Sequence, residues 1–249
     1  MSDVSSPAVA IMQPTYLPWL GYFDLIDSVD VFVILDDAQF EKQTWQQRNR
    51  LRSQIGLEWI TVPVLIKNRF GQRINQVEID RQQFIQKHLK QITQNYRKAQ
   101  WYEKLYPEFS DAFLAAASSG GLALFTVDII KVLCKAFSVT ASFVLASSLQ
   151  VDGVRSDKLV NIMKALGAKS YISPIGSTEY IRSDYPTFKS AGVSVFFQNY
   201  QHPEYTQVYK PFLPYACALD LLFNEGADSK AIIRSGRRAL VSAEEWVTP

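Results

Sequence analysis

Ala8-Val-Ala-Ile-Met12, halted by Gln13-Pro14 and a turn that closes at Pro18, is the stretch on which the fold depends. A short apolar run stopped by a proline predicts a buried strand, not a helix. Residues 19–26 then carry apolar side chains at helical spacing, which predicts a helix ending near Asp27-Ser28. Residues 29–35 form a second apolar run of strand length, with Asp36-Asp37 at its carboxyl end. Strand, turn, helix and strand make a βαβ unit, which requires parallel pairing and a right-handed crossover.

Outward from this unit, residues 39–53 turn polar and cationic, and residues 59–63 and 77–80 read as strands. Between those strands, residues 66–73 form a basic, glycine-containing loop of the kind that serves as a lid. Residues 84–96 are amphipathic, and residues 105–117 and 122–137 read as helices broken at Ser118-Ser-Gly-Gly121, so the middle of the chain is largely helical. Further on, residues 143–146, 171–173 and 191–197 read as strands. A helix capped by Ser156 or Asp157 runs to Leu166 with Gly167 at its C′ position, another covers residues 215–224, and residues 227–249 look like a frayed helical tail. The expected class is α/β, one domain over residues 1–249 with a central, mostly parallel sheet flanked by helices.

Composition narrows the function. The 249 residues are 47% hydrophobic and 20% charged, the globular regime. The 26 basic and 24 acidic side chains leave a charge of +2, which gives no argument for nucleic acid. Arg48, Arg50 and Arg52, and again Arg234, Arg237 and Arg238, form short clusters that read as solvated faces or anion clamps. Cys134 and Cys217 match no metal spacing and read as reduced core residues. Residues 1–7 lack an apolar core for a leader, and no apolar run approaches the ~20 residues of a membrane span, so a cytoplasmic location is expected. Aromatics stand out: 15 Phe, 12 Tyr and 5 Trp, many beside Pro, Gly, Gln or Asn, which suits stacking and hydrogen bonding to a polar small molecule.

Candidate site residues fall in a few clusters. Gln13, Tyr16, Trp19 and Tyr22 follow the first strand and open a helix, where open α/β sheets bind ligands. That arrangement resembles a nucleotidylyltransferase in topology alone, since no His occurs between Gln13 and Asp37. One of Asp36 and Asp37 faces the cleft as a general base or Mg²⁺ ligand, or else the pair caps a loop or bridges to an Arg. Trp45, Arg48, Asn49 and Arg50 suit a carboxylate or phosphate, or a solvated helix face. His88 and His202 read either as proton carriers or as structural hydrogen-bond partners. Ser173 and Tyr180, around Gly176, make a sugar or anion cradle or an ordinary turn. Nothing identifies a cofactor or a metal site.

Gln13-Pro-x-Tyr-Leu-Pro-Trp-Leu-Gly-Tyr-Phe, Asp36-Asp37-x-Gln-Phe40, Trp45 with Arg48-Asn-Arg50, and Trp59-x-x-Val-Pro63 together resemble the WbqC-like family. Lys87-His-Leu89, Tyr171-x-Ser173, His202-Pro-x-Tyr205 and Asp220-Leu-Leu-Phe-Asn224 extend the likeness over roughly residues 8–226. The resemblance implies a role in bacterial surface-polysaccharide (O-antigen) gene clusters, with transfer of glycine to a sugar as the suggested activity. On that implication the substrates are a sugar or nucleotide-linked sugar and an activated amino acid. His88 or Asp37 then acts as base and Arg48 and Arg50 as anion holders. Binding of a nucleotide-linked sugar without chemistry, and a degenerate nucleotidylyltransferase, are the other readings. Pro174-Ile-Gly-Ser177 replaces the family's glycine-rich stretch, and its bulk points to a different acceptor or a changed activity.

Overall fold

A computed structural model describes residues 6–80 and 84–247; residues 1–5, most of the stretch read above for a leader, and residues 248–249 of the tail lie outside the described residues. The opening βαβ unit forms as expected: β1 is Ala8–Met12, α1 Leu20–Ile26 and β2 Val31–Ile34. β5 (Ser142–Leu145), β6 (Ser170–Pro174), β7 (Ser194–Gln198) and β8 (Val241–Ser242) complete a six-stranded sheet ordered β5-β2-β1-β6-β7-β8. All neighbours are parallel except β8, which runs antiparallel to β7.

The pleat explains the apolar runs. Val9, Ile11 and Val33 point to one face, and Ala10, Phe32 and Ile34 to the other. Both faces are covered, as a parallel sheet requires. One carries α5 (Arg155–Ala165) and α6 (Thr178–Ser190) through Leu159, Ile162, Met163, Ile181 and Phe188. The other carries α1 and three helices of the middle segment, α2 (Phe84–Tyr96), α3 (Tyr102–Ala116) and α4 (Leu122–Phe137). The short helices α7 (Leu219–Glu225) and α8 (Ser229–Ser235) pack there as well.

Several expectations need correction. The cationic stretch is a strand, β3 (Arg48–Ser53), paired antiparallel with β4 (Gly56–Thr61) in a separate hairpin. Residues 77–80 join no sheet; a 3-10 turn at Ile74–Gln76 precedes them, and Val64 and Ile79 make one isolated bridge. Neither Ser156 nor Asp157 caps α5, because Ser156 Oγ donates to Asp184 instead, over 2.7 Å. Gly167 does take the left-handed φ of +62° expected past the helix end. The helix expected over residues 215–224 begins only at Leu219, and α6 was not anticipated. The tail is α8, β8 and α9 (Ala243–Val247), not one frayed helix.

Strand order places the cleft. From β1 the chain builds one way through β2 to β5, then returns past β1 to β6 and β7, so the direction reverses between β1 and β6. There the shared register consists of Ala8–Ser170 and Val9–Tyr171, while the strands run on to Met12 and Pro174. The two strands part at their carboxyl ends. Open α/β sheets bind ligands in such a gap.

Candidate functional site

Three adjoining hollows follow that gap. The middle one, about 400 Å³, is lined by Met12, Gln13, Thr15, Trp45, Pro174 and Tyr180. Gln13, Leu35, Glu41 and Tyr180 also line a larger hollow of about 1220 Å³, where Asp37 and Lys158 lie. On the other side, Met12, Thr15 and Trp45 are shared with a smaller chamber of about 280 Å³, lined also by Trp19, Tyr22, Asn49 and Arg50. The three form one trough above the carboxyl edge of the sheet.

In the large hollow, Lys158 Nζ bonds Asp37 Oδ2 at 2.7 Å and also donates to the Val151 carbonyl at 2.6 Å. Both side chains are mostly covered, 14% and 10% exposed. Asp36 points away, as alternation along a strand end requires. Its oxygens accept from the Ser147 amide and hydroxyl, at 3.0 and 2.6 Å, and from Asn75 at 3.2 Å. Asp36 therefore ties down the turn after β5.

The small chamber is framed by the hairpin. Tyr16 N–H donates to the Trp45 carbonyl (2.9 Å), Asn49 Nδ2 to the Tyr16 carbonyl (3.1 Å), and Cys217 N–H to the Arg50 carbonyl (2.8 Å). Alternation along β3 puts Arg48 and Arg50 on one face. The Arg48 guanidinium lies 4.1 Å over the Trp59 ring, and that of Arg50 lies 5.6 Å from Trp45 and 5.7 Å from Trp59. The two Trp rings are 5.5 Å apart. Neither Arg has an acidic partner among the described residues, and Arg50 Nε is buried without a hydrogen bond. Trp19 makes another wall, stacked at 12° on His202 and packed edge-on against Tyr200.

Both histidines are closed off. A carbonyl can only accept, so His88 Nε2–H donates to Thr61 O (3.1 Å) and Nδ1 accepts from Tyr16 Oη (2.9 Å). Burial drives the His88 pKa down to about 4, against the pull of the Thr61 bond. His202 is likewise engaged, Nδ1 with the Pro203 carbonyl and Nε2 with Tyr215 N–H, and burial lowers its pKa. Burial pushes both thiols, Cys134 and Cys217, up to about 12, so they stay protonated. Among the described residues no cluster of His, Cys, Asp and Glu is placed to hold a metal.

Of the residues singled out from sequence, the trough brings together Gln13, Trp19, Tyr22, Asp37, Trp45, Asn49, Arg50 and Tyr180. Arg48 flanks it over Trp59. Tyr16, Asp36 and His88 sit beneath it in the core, and His202 behind Trp19. Ser173 is fully buried, with its hydroxyl 2.5 Å from that of Ser177. Sequence reading missed Lys158, Thr15, Glu41 and Tyr215 as lining residues. The signal for Lys158 was its place on the first turn of a helix after a core strand.

The profile of the WbqC-like protein family matches residues 13–232. A relative, "Uncharacterized protein Rv1507c" of Mycobacterium tuberculosis (strain ATCC 25618 / H37Rv), is 31% identical over 231 residues, covering 92% of this chain and 99% of its own. No solved structure matches the chain. The profile match starts at the turn directly after β1 and takes in the hairpin, the helical segment and both sides of the trough, and on that ground the chain belongs to the WbqC-like protein family.

Proposed function

We propose that the chain is a one-domain cytoplasmic transferase of surface-polysaccharide (O-antigen) assembly. It moves an aminoacyl group, glycyl in the role suggested for the family, onto a nucleotide-linked sugar. The observation that carries this reading is the Asp37–Lys158 pair in a hollow of about 1220 Å³, room enough for such a ligand. An amino or hydroxyl group of the sugar attacks the acyl carbon of an activated donor, an ester or mixed anhydride. As the new bond forms, Asp37 takes the attacking group's proton and the Lys158 ammonium protonates the departing group. Asp37 then returns a proton to Lys158, 2.7 Å away, and the pair is restored. The near-neutral charge of +2 supports a small-molecule substrate over nucleic acid.

The test incubates the protein with a uridine-diphosphate-linked amino sugar and an aminoacyl ester, and weighs the sugar by mass spectrometry. A gain of one aminoacyl residue is expected, and Asp37→Asn slows it about 100-fold. Unchanged turnover in both Asp37→Asn and Lys158→Met sinks these roles.

A second reading, binding of the nucleotide-linked sugar without chemistry, is favoured by the two histidines, whose ring nitrogens are all engaged inside the protein. It predicts thermal stabilisation by the sugar and no product with any donor.

A further inference from the structure

The small chamber has a chemistry that the Asp37–Lys158 pair does not use. Arg48 and Arg50 stand two residues apart on one face of β3, so their Cα atoms are about 6.6 Å apart. Elsewhere in the described chain, cations that approach the core find oxygen acceptors: Arg237 binds Asp24 and Asp27, Lys158 binds Asp37, and the buried Arg52 donates to Gln207 and to the Ser53 and Pro211 carbonyls. Arg48 and Arg50 find only aromatic faces. Stacking fixes a guanidinium plane while leaving its in-plane N–H donors free, and Arg50 Nε is such a donor, buried and unsatisfied among the described residues. One carboxylate needs one such fork. Two forks side by side, with no internal counter-charge, match two linked oxyanions.

The walls add a stacking surface. Trp45 and Tyr215 line the same chamber and leave 46% and 50% of their surface exposed. Tyr215 is held in the left-handed region at φ +65°, where its N–H reaches His202 Nε2. A bulky residue kept in that conformation at a cavity lip is a feature the surroundings must maintain. Exposed, fixed aromatic planes accept any base, because every base has a π face.

We infer that the small chamber is the nucleoside-diphosphate subsite: Arg50 and Arg48 hold the two phosphates, the base lies against Trp45 and Tyr215, and the sugar passes Met12 and Thr15 toward Asp37. This rests on the reading of the ligand as a nucleotide-linked sugar and gives that ligand a direction in the trough. It places recognition of the carrier on the hairpin and chemistry over the sheet.

Calorimetric titration of the full chain with uridine diphosphate, inorganic pyrophosphate, glucuronate and uridine tests it. Uridine diphosphate binds, pyrophosphate binds more weakly, and uridine and glucuronate do not compete. Arg50→Gln and Arg48→Gln each weaken uridine diphosphate at least about tenfold, while Asp37→Asn leaves it unchanged. Since neither guanidinium holds a hydrogen bond among the described residues and each loses only its aromatic contact, both variants melt within a few degrees of wild type, which is measured alongside. Unaltered affinity in Arg50→Gln overturns the inference and leaves the broader reading standing, provided the nucleotide-linked sugar still binds. Arg50-dependent binding of glucuronate in place of the diphosphate also overturns it. If no diphosphate compound binds the wild-type protein, both the inference and the nucleotide-linked substrate fall.

Discussion

Tyr16 Oη donates to His88 Nδ1 over 2.9 Å inside the core, and the far ring nitrogen of His88 donates to Thr61 on the hairpin. One imidazole thus joins the loop after β1 to the strand opposite Arg48. It holds the two halves of the small chamber in register. With both nitrogens used, it serves to position the site.

That arrangement predicts acid sensitivity with a definite sign. The folded pKa of His88, about 4, lies below its ordinary value of 6.5. Above pH 6.5 the folded and unfolded states both hold neutral imidazole. As pH falls from 6.5 toward 4, the unfolded chain takes a proton that the fold excludes, and stability is lost. Down to pH 4.5 this single group removes about 2–3 kcal/mol. Asp220 acts in the opposite sense, since burial lifts its pKa to about 6 and its contribution grows as pH falls through that value. Gln in place of His88 keeps a donor for Thr61 and an acceptor for Tyr16 but does not titrate. Urea unfolding at pH 7.0 and 4.5 should show His88→Gln losing about 2–3 kcal/mol less than wild type over that interval. An equal loss in both proteins removes His88 from the account.

The opening βαβ unit was legible because its strands are covered on both faces and so read as unbroken apolar runs. α2 to α4 were legible through their helical period. The hairpin was not: Arg-Asn-Arg-Leu-Arg-Ser reads as a charged surface, and its strand state depends on partners far along the chain, such as Cys217 N–H on the Arg50 carbonyl. α6 was readable in principle, since Ile181, Tyr185 and Phe188 keep the spacing of one buried face, but polar neighbours and Pro186 obscured it. The site divides in the same way. Asp37 was visible as a residue after a strand, yet its partner Lys158 stands 121 positions away, and no local pattern joins them. His88 was conspicuous as a chemical type, but only its surroundings show both nitrogens engaged.

The Asp37–Lys158 pair should be strongly coupled, because both side chains are nearly covered. Removing one partner from such a pair costs about 3–5 kcal/mol, mostly from the charge left behind. Lys158→Met should therefore destabilise the protein severely, while Asp37→Asn with Lys158→Met recovers a large part of the loss. Denaturant unfolding of the four proteins in a double-mutant cycle gives the coupling. A coupling energy below about 0.5 kcal/mol marks the pair as solvated and weakens its case as an acid–base couple.

Two arginines of the carboxyl-terminal cluster bind the same helix end with different consequences. Arg237 bonds Asp24 (2.7 Å), a carboxylate fully inside the protein, whereas Arg234 binds Asp27 from a largely exposed position. Arg237→Met should cost about 3 kcal/mol because, among the described residues, the buried Asp24 carboxylate then keeps Gln198 as its one hydrogen-bond donor and has no cation bonded to it. Arg234→Met should cost about 0–1 kcal/mol and show its effect only at low salt. Equal losses from the two substitutions contradict this assignment.

Gly21 links the helix α1 to the wall of the chamber. A Cβ at that position meets the Trp19 ring at 2.3 Å, too close for any van der Waals contact, so Gly21→Ala must push the indole aside. Trp19 is held by Tyr200, His202 and Tyr215, all within 6.2 Å of its ring centre, and cannot yield without breaking those contacts. Overpacking of this kind costs about 1–3 kcal/mol. The near-ultraviolet circular dichroism of the aromatic cluster should fall while the far-ultraviolet signal holds, since only side chains move. Because Trp19 lines the small chamber, uridine diphosphate affinity falls with the same substitution. Trp19→Phe, smaller and free of the clash, should restore stability in the Gly21→Ala background. A double variant no more stable than Gly21→Ala alone places the strain somewhere other than the indole.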